Sequence, residues 1–399
     1  MNELQLPPEL LDEIAQHIQG SANIASCCLA ASVFRDPCQK RLLSSLHLEN
    51  SATSRRNFRS YKETAARFTE APHLALYVTN LTITLRCSDL DTEAAIASIF
   101  TCLTRVQKCN VVGTGSRSQW CEIPSKVTTP FAAWLTHLPT GALREMRCGF
   151  LHDIPRVIVH NILRTARSFI FIMASVESSP SGTVPASRQV ITSRKRELLI
   201  IESPQLYTGL AEPEFAPYWG NLGRLSVTAN RPFSELCVAA TESLEYLTII
   251  LFDRIPEDLR PQIGFTRPLS SLKKLHIPLA GESQLQNSQD LTLLWFFVSV
   301  LAPILRSPIT PVLEQVVISF KPTNFVSDVD ENMVYSFTPN ATNLLNRLDD
   351  MVIQHASLRC VRWAIQLRDQ ASLRAFSDAL KQLLPKMSIQ GKLIVNRTE

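Results

Sequence analysis

Few groupings in this chain have the residue types and spacing that chemistry requires. Val111-Val112-Gly113-Thr114-Gly115-Ser116 carries the glycine-x-glycine of a loop whose bare backbone N–H groups cradle phosphate. It lacks the third glycine, a Lys-Ser or Lys-Thr pair and a clear helix afterwards, so it reads as a turn. Cys148, His152 and His160 are residue types that ligate zinc, but no fourth ligand stands at a fitting offset. Asp349-Asp350 would suit acid–base work, yet it sits on a helical pattern dominated by Leu344, Leu345, Leu348 and Val352 and reads as that helix's solvated face. There is no Gly-x-Ser-x-Gly nucleophile elbow. Ser193-Arg194-Lys195-Arg196 is too short a basic run to specify an import signal and reads as the end of a solvated loop. The sequence thus offers no catalytic residues, no metal set and no cofactor motif.

Composition narrows the partners. The 399 residues suggest two or three domains, and 45% hydrophobic residues with 19% charged are enough for large cores. A net charge of +4 makes no case for nucleic acid or a membrane surface. The ten cysteines include no CxxC pair and are irregularly spaced. The N-terminus is acidic (Glu3, Glu9, Asp12, Glu13) rather than leader-like. Free thiols in a reducing compartment, cytoplasm or nucleus, are expected, with the sequons at Asn80, Asn340 and Asn396 unused. The apolar run 291–305 contains Pro303 and falls short of the ~20 residues of a membrane span, so it reads as a buried helix.

The elements follow from periodicity. Pro7 and Pro8 suit a first helical turn, and Leu10, Leu11, Ile14 and Ile18 recur at helical spacing opposite Glu9, Asp12, Glu13 and Gln16. Gly20 ends that helix. A second spans 24–34 behind Asn23, and a third opens at Asp36-Pro37 and runs to about Leu46. A polar helix covers 55–68. Beyond it, the spacing apolar-x-x-apolar-x-apolar recurs. The clear copies are Leu222/Leu225/Val227, Leu244/Leu247/Ile249, Leu272/Leu275/Ile277, Leu313/Val316/Ile318 and Leu358/Val361/Trp363. Weaker copies are Val78/Leu81/Ile83, Leu143/Met146/Cys148 and Phe169/Phe171. The last two positions of each copy alternate as in a strand. Helical patterns at 92–102, 154–164, 291–305, 343–355 and 371–384 lie between them, which predicts a largely parallel sheet. Separations of 22, 28, 41 and 45 residues between the clear copies resemble irregular leucine-rich repeats. The Ser- and Pro-rich stretch 175–196 is an expected exposed loop, and 392–396 an expected closing edge strand.

The N-terminus resembles an F-box. Leu6-Pro7, Glu9, Leu10-Leu11, Ile14 and Ile18 match the first half of that motif. Ile24, Cys27, Leu29, Ala30, Ala31, Ser32 and Phe34 follow the second half, with Ala30 for valine, Ser32 for a basic residue and Phe34 for tryptophan. EAPHLALYVTNLTI (70–83) and LPKMSIQGKLIV (384–395) resemble the linker and closing segments of fungal F-box proteins with degenerate leucine-rich repeats. The implied fold class is α/β. A three-helix F-box-like module (1–48) and a linker helix (49–76) would precede an irregular leucine-rich-repeat-like solenoid with a mostly parallel sheet (77–399).

The resemblance implies a non-catalytic substrate receptor of a Skp–cullin–F-box ubiquitin ligase, needing no cofactor. Leu6, Pro7, Pro8, Leu10, Leu11, Ile14, Ile18, Ile24, Leu29 and Phe34 would dock on the Skp-type adaptor and, through it, the cullin. Leu11, Ile14 and Ile18 can also pack on the neighbouring helices, while Leu6, Pro7 and Leu10 form free surface. In such a solenoid the residues between the apolar strand positions face a target protein. Here they include Arg224, Ser226, Glu245, Tyr246, Lys273, Lys274, His276, Arg359 and Arg362, and the basic ones suit an acidic or phosphorylated segment. The alternative is an interaction scaffold, outside any ligase, whose N-terminal helices cap the solenoid.

Overall fold

The computed structural model describes residues 6–49, 60–85, 91–115, 118–178, 195–229, 233–250, 264–280, 300–321, 339–365 and 370–397. The chain divides into two compact units, Met1–Ala186 and Ser187–Glu399.

The first unit opens with α1 (Pro8–His17), α2 (Ser21–Ala30), a 3₁₀ turn (Ser32–Phe34) and α3 (Arg35–Leu43). Pro8 occupies the first helical turn, where Leu10 and Leu11 donate their N–H groups to the Pro7 carbonyl at 3.1 and 3.2 Å. Gly20 takes φ +83° between α1 and α2, a left-handed conformation that a side chain would strain. Strand β1 (Ser45–Leu48) follows α3 after one residue. Next come α4 (Tyr61–Glu70), a 3₁₀ turn (Pro72–Tyr77) and β2 (Asn80–Thr84). The unit continues as α5 (Glu93–Cys102), β3 (Lys108–Val112), α6 (Ser125–His137), β4 (Leu143–Gly149), α7 (Arg156–Thr165) and β5 (Ala166–Ile172). The five strands pair in parallel in chain order, and α4 to α7 pack successively against one another. Register explains the core. Leu46, Leu81, Cys109, Met146 and Phe169 form one buried row, and Leu48, Ile83, Val111, Cys148 and Phe171 the next.

The second unit repeats this logic. Its strands are β6 (Arg196–Ile201), β7 (Leu222–Thr228), β8 (Tyr246–Ile250), β9 (Lys274–Ala280), β10 (Gln315–Lys321), β11 (Cys360–Ile365) and β12 (Leu393–Arg397), again parallel and in chain order. Between them lie α8 (Pro204–Ala211), α9 (Ser234–Ala239), α10 (Pro339–Gln354), α11 (Gln370–Leu383) and α12 (Pro385–Ile389). The three apolar positions of each clear sequence copy are nearly all buried. Leu225, Leu247, Leu275, Val316 and Val361 align across β7 to β11, while buried Leu222 opens β7 and buried Leu244, Leu272, Leu313 and Leu358 stand just before the strands that follow them. The α/β class and the parallel sheet therefore hold in each unit.

Several boundaries differ from the sequence reading. The third helix stops at Leu43, and Leu46 belongs to a strand. The polar linker helix is Tyr61–Glu70, with 55–59 outside the described residues. Strands β3 and β6 are additions to the expected set. Most of the 291–305 run and of the 175–196 loop lies outside the described residues, and among those described no helix is long and apolar enough to cross a membrane.

Candidate functional site

Two surfaces collect the residues singled out in the sequence. The first lies on the N-terminal helices. Ala15, Ile24 and Cys38 form a small core, with Ile18, Cys27, Cys28, Phe34 and Leu42 packed around it. Phe34, standing where the F-box pattern has tryptophan, is thus a half-buried core residue. Arg41 donates from Nη1 to the Ala15 carbonyl near the C-terminus of α1, satisfying an end group of that helix. Asp36 receives the Tyr77 hydroxyl and pairs with Lys40 at 2.8 Å. The Lys40 ammonium and the Tyr77 hydroxyl hold the Asp36 carboxyl below its ordinary range. This contact ties α3 to the turn before β2.

The apolar face of α1 is divided. Leu11 and Ala15 are buried, whereas Leu6, Leu10 and Ile14, four residues apart, remain 47%, 45% and 42% exposed. Leu29 at the end of α2 is 88% exposed, and Val33, on the turn packed against α1, is 48% exposed. Pro7 and Pro8 are exposed too. Three expectations need correction. Ile14 does not pack inward. Leu11 and Ile24 are buried rather than exposed, Ile24 in the core it shares with Cys38 of α3. Ile18 and Phe34 are half-buried supports. Val33 joins the surface unannounced, its only signal being its place beside Phe34.

The second surface is the outward face of the sheet in the second unit. Adjacent strands place Glu197, Arg224, Tyr246 and Lys274 in one row. The Tyr246 ring lies between two cations, with the Arg224 guanidinium carbon 4.7 Å and the Lys274 ammonium 5.3 Å from its centroid. Arg224 also pairs with Glu197 at 3.5 Å. The next row holds Ser226, Thr248, His276, Val317 and Arg362. His276 Nε2 lies 2.9 Å from Ser319 Oγ, and its ring packs edge-on to Tyr246. Burial, with Lys274 close by, holds His276 below the usual histidine range, so it is neutral at pH 7. Among the described residues Arg362 Nε has no acceptor. Where the chain enters the strands, Glu245 pairs with Lys195 at 2.5 Å and Lys273 at 2.9 Å, and Glu314 with Arg359 at 3.7 Å. The two lysines hold Glu245 below its ordinary range. Apart from buried Arg196, the cations named on the described outward face and the residues leading into it, Lys195, Arg224, Lys273, Lys274, Arg359 and Arg362, thus stand among three carboxylates, Glu197, Glu245 and Glu314.

The other chemical candidates resolve into structure. A Cβ on Gly113 would meet the Phe150 carbonyl oxygen at 2.2 Å, so this glycine permits close backbone approach rather than phosphate binding. Cys148 is a core-row thiol pushed up to about 12 by burial. His152 Nδ1 lies 3.4 Å from Ser175 Oγ, and no group of three metal-ligating side chains exists among the described residues. Asp349 corrects the solvated-face reading. It is 2% exposed and accepts from the Lys386 and Met387 N–H groups at 2.9 and 2.7 Å, capping α12, while Asp350 pairs outside with Lys386. Of the basic run, Arg196 is buried against the Tyr218 ring, and Ser193 and Arg194 lie outside the described residues.

A comparison with models of known protein families finds no match, and neither does a comparison with curated proteins. Among solved structures, the chain is similar to one in the crystal structure of the Rad7 and Elc1 complex in yeast, at 13% identity and a TM-score of 0.35, over 90% of this chain and 89% of that one.

Proposed function

We propose that the chain is a substrate receptor of a Skp–cullin–F-box ubiquitin ligase. In this reading α1, α2 and the 32–34 turn dock on a Skp-type adaptor, and the outward sheet face of the second unit holds a target protein. The observation that carries the reading is the line Leu6, Leu10, Ile14, left exposed on a helix whose Leu11 and Ala15 are buried, with Val33 exposed on the turn packed against that helix and Leu29 exposed at the end of α2. Burying a half-exposed leucine on a partner contributes about 1 kcal/mol, and five such side chains suffice to anchor a small interface. The receptor supplies proximity, holding target lysines near a ubiquitin thioester carried by other subunits.

The N-terminal helices also have an internal use. Helix α3 leads directly into β1, and Asp36 binds Tyr77, so α3 caps the sheet of its own unit. This favours a second reading, a scaffold whose helices serve only as a cap. Capping accounts for Ile24, Cys38 and Phe34 but not for the exposed line. The test is titration of a purified Skp-type adaptor into the full chain by calorimetry. Micromolar or tighter binding is expected, weakened about 100-fold or more by Leu10→Asp with Ile14→Asp while the circular dichroism is unchanged. No adaptor binding by the wild type at micromolar concentrations overturns the ligase reading and leaves the cap.

A further inference from the structure

The outward sheet face of the second unit has a definite charge pattern. Lys274 is stacked on Tyr246, and among the described residues no carboxylate pairs with it. Arg362 stands two strands further, on the row of His276, a half-buried guanidinium whose Nε is buried and has no acceptor among the described residues. Arg224 lies two strands on the other side of Lys274. From β7 to β11 is four strand steps, ~19 Å at the usual ~4.8 Å spacing, which an extended peptide covers in about six residues. One phosphate group cannot touch cations spread this widely. The carboxylates interleaved among the cations would repel a continuous phosphodiester backbone, whereas a peptide can place its own acidic side chains between them.

We infer that this face binds an extended acidic segment of about six residues laid across β7 to β11, with Arg224, Lys274 and Arg362 meeting its carboxylates and Tyr246 keeping two of these cations apart. That the segment belongs to a ubiquitylation target rests on the receptor reading above. The charge match itself is independent of that reading.

The test is fluorescence anisotropy of a labelled peptide of about six alternating glutamates and aspartates between glycines, titrated with the full chain at about 50 and about 200 mM salt. Binding that weakens with salt, and weakens about tenfold or more in Lys274→Glu with Arg362→Glu, is the expected result. Both side chains are half-buried on the sheet face, and Lys274→Gln, which keeps a polar side chain without reversing charge, should weaken binding by a smaller factor. Absence of binding at about 100 µM chain overturns the inference. So does equal affinity for an otherwise neutral peptide bearing one phosphoserine, or tighter binding of a single-stranded oligonucleotide. Adaptor titration on the same proteins separates the two proposals. Peptide binding without adaptor binding removes the ligase reading alone, and adaptor binding without peptide binding removes the acidic-segment inference alone.

Discussion

Leu10 and Leu11 are chain neighbours of the same type with opposite roles. Leu11 is buried and Leu10 is 45% exposed, on a helix that packs against α3. The sequence shows a single broad apolar face on α1, because helical spacing counts both halves. Which half turns inward depends on where α3 docks, and that is a tertiary matter. Truncation separates them. Leu11→Ala removes packed methyl groups and should cost about 2–4 kcal/mol in urea unfolding, whereas Leu10→Ala should cost under about 1 kcal/mol. Equal costs would mean that both leucines are core. Two histidines carry a pH signature at the same scale. Burial holds His276 and His355 below the ordinary histidine value, with Lys274 adding to the effect on His276 and Lys392 to that on His355. A depressed folded pKa means the unfolded chain protonates first. Their contribution to stability is therefore complete above about pH 6.5 and is lost as pH falls through the lowered folded values. Urea midpoints should fall from pH 7 to pH 5, and His276→Gln should flatten part of that slope. A slope unchanged by His276→Gln would show that this ring titrates normally.

Among the elements, the strands with a leading leucine were legible because their three apolar positions do two jobs. Leu222, Leu244, Leu272, Leu313 and Leu358 are buried at or just before the strand starts, and the alternating pairs after them fill two core rows. The strands that escaped detection lack part of this signal. In β1, Leu46 prolongs the helical spacing of Leu42 and Leu43, so the strand hides inside an apparent helix. Strand β3 offers only Cys109 and Val111 as buried positions, without a leading leucine. Strand β6 follows directly on a basic run read as loop. Helix α12 shows a related limit. The sequence reading has no helix there, and the acceptor that caps it comes from Asp349, far away in the chain. Asp349→Ala leaves two backbone N–H groups without their acceptor at a buried site and should cost about 2–4 kcal/mol, while Asp349→Asn, which keeps one acceptor oxygen, should cost about half as much. Thermal melts of the two variants check this, and a cost near zero for the alanine variant would place the carboxylate outside the cap.

For the molecule as a whole, the two proposed surfaces lie on different compact units and share no residue. The exposed apolar line belongs to the first 34 residues, and the cationic rows belong to β6 to β11. A receptor built this way makes two independent contacts, and its output depends on their product, because only a chain engaged at both ends raises the local concentration of target lysines at the transfer site. Perturbations should then be additive for binding but conditional for output. Substitutions on different compact units with no shared partner couple weakly, so Leu10→Asp with Ile14→Asp should leave acidic-peptide affinity within about twofold of wild type, and Lys274→Glu with Arg362→Glu should leave adaptor affinity within about twofold. In a reconstituted reaction with adaptor, cullin and conjugating enzyme, a lysine-bearing protein fused to the acidic segment should be ubiquitylated by the wild type. Either pair of substitutions alone should abolish that transfer, even though each leaves one binding event intact. Transfer that persists after the charge reversals would place the target on another part of the chain. Transfer that persists after the Leu10 and Ile14 changes would mean that the ligase engages this protein through a surface other than α1.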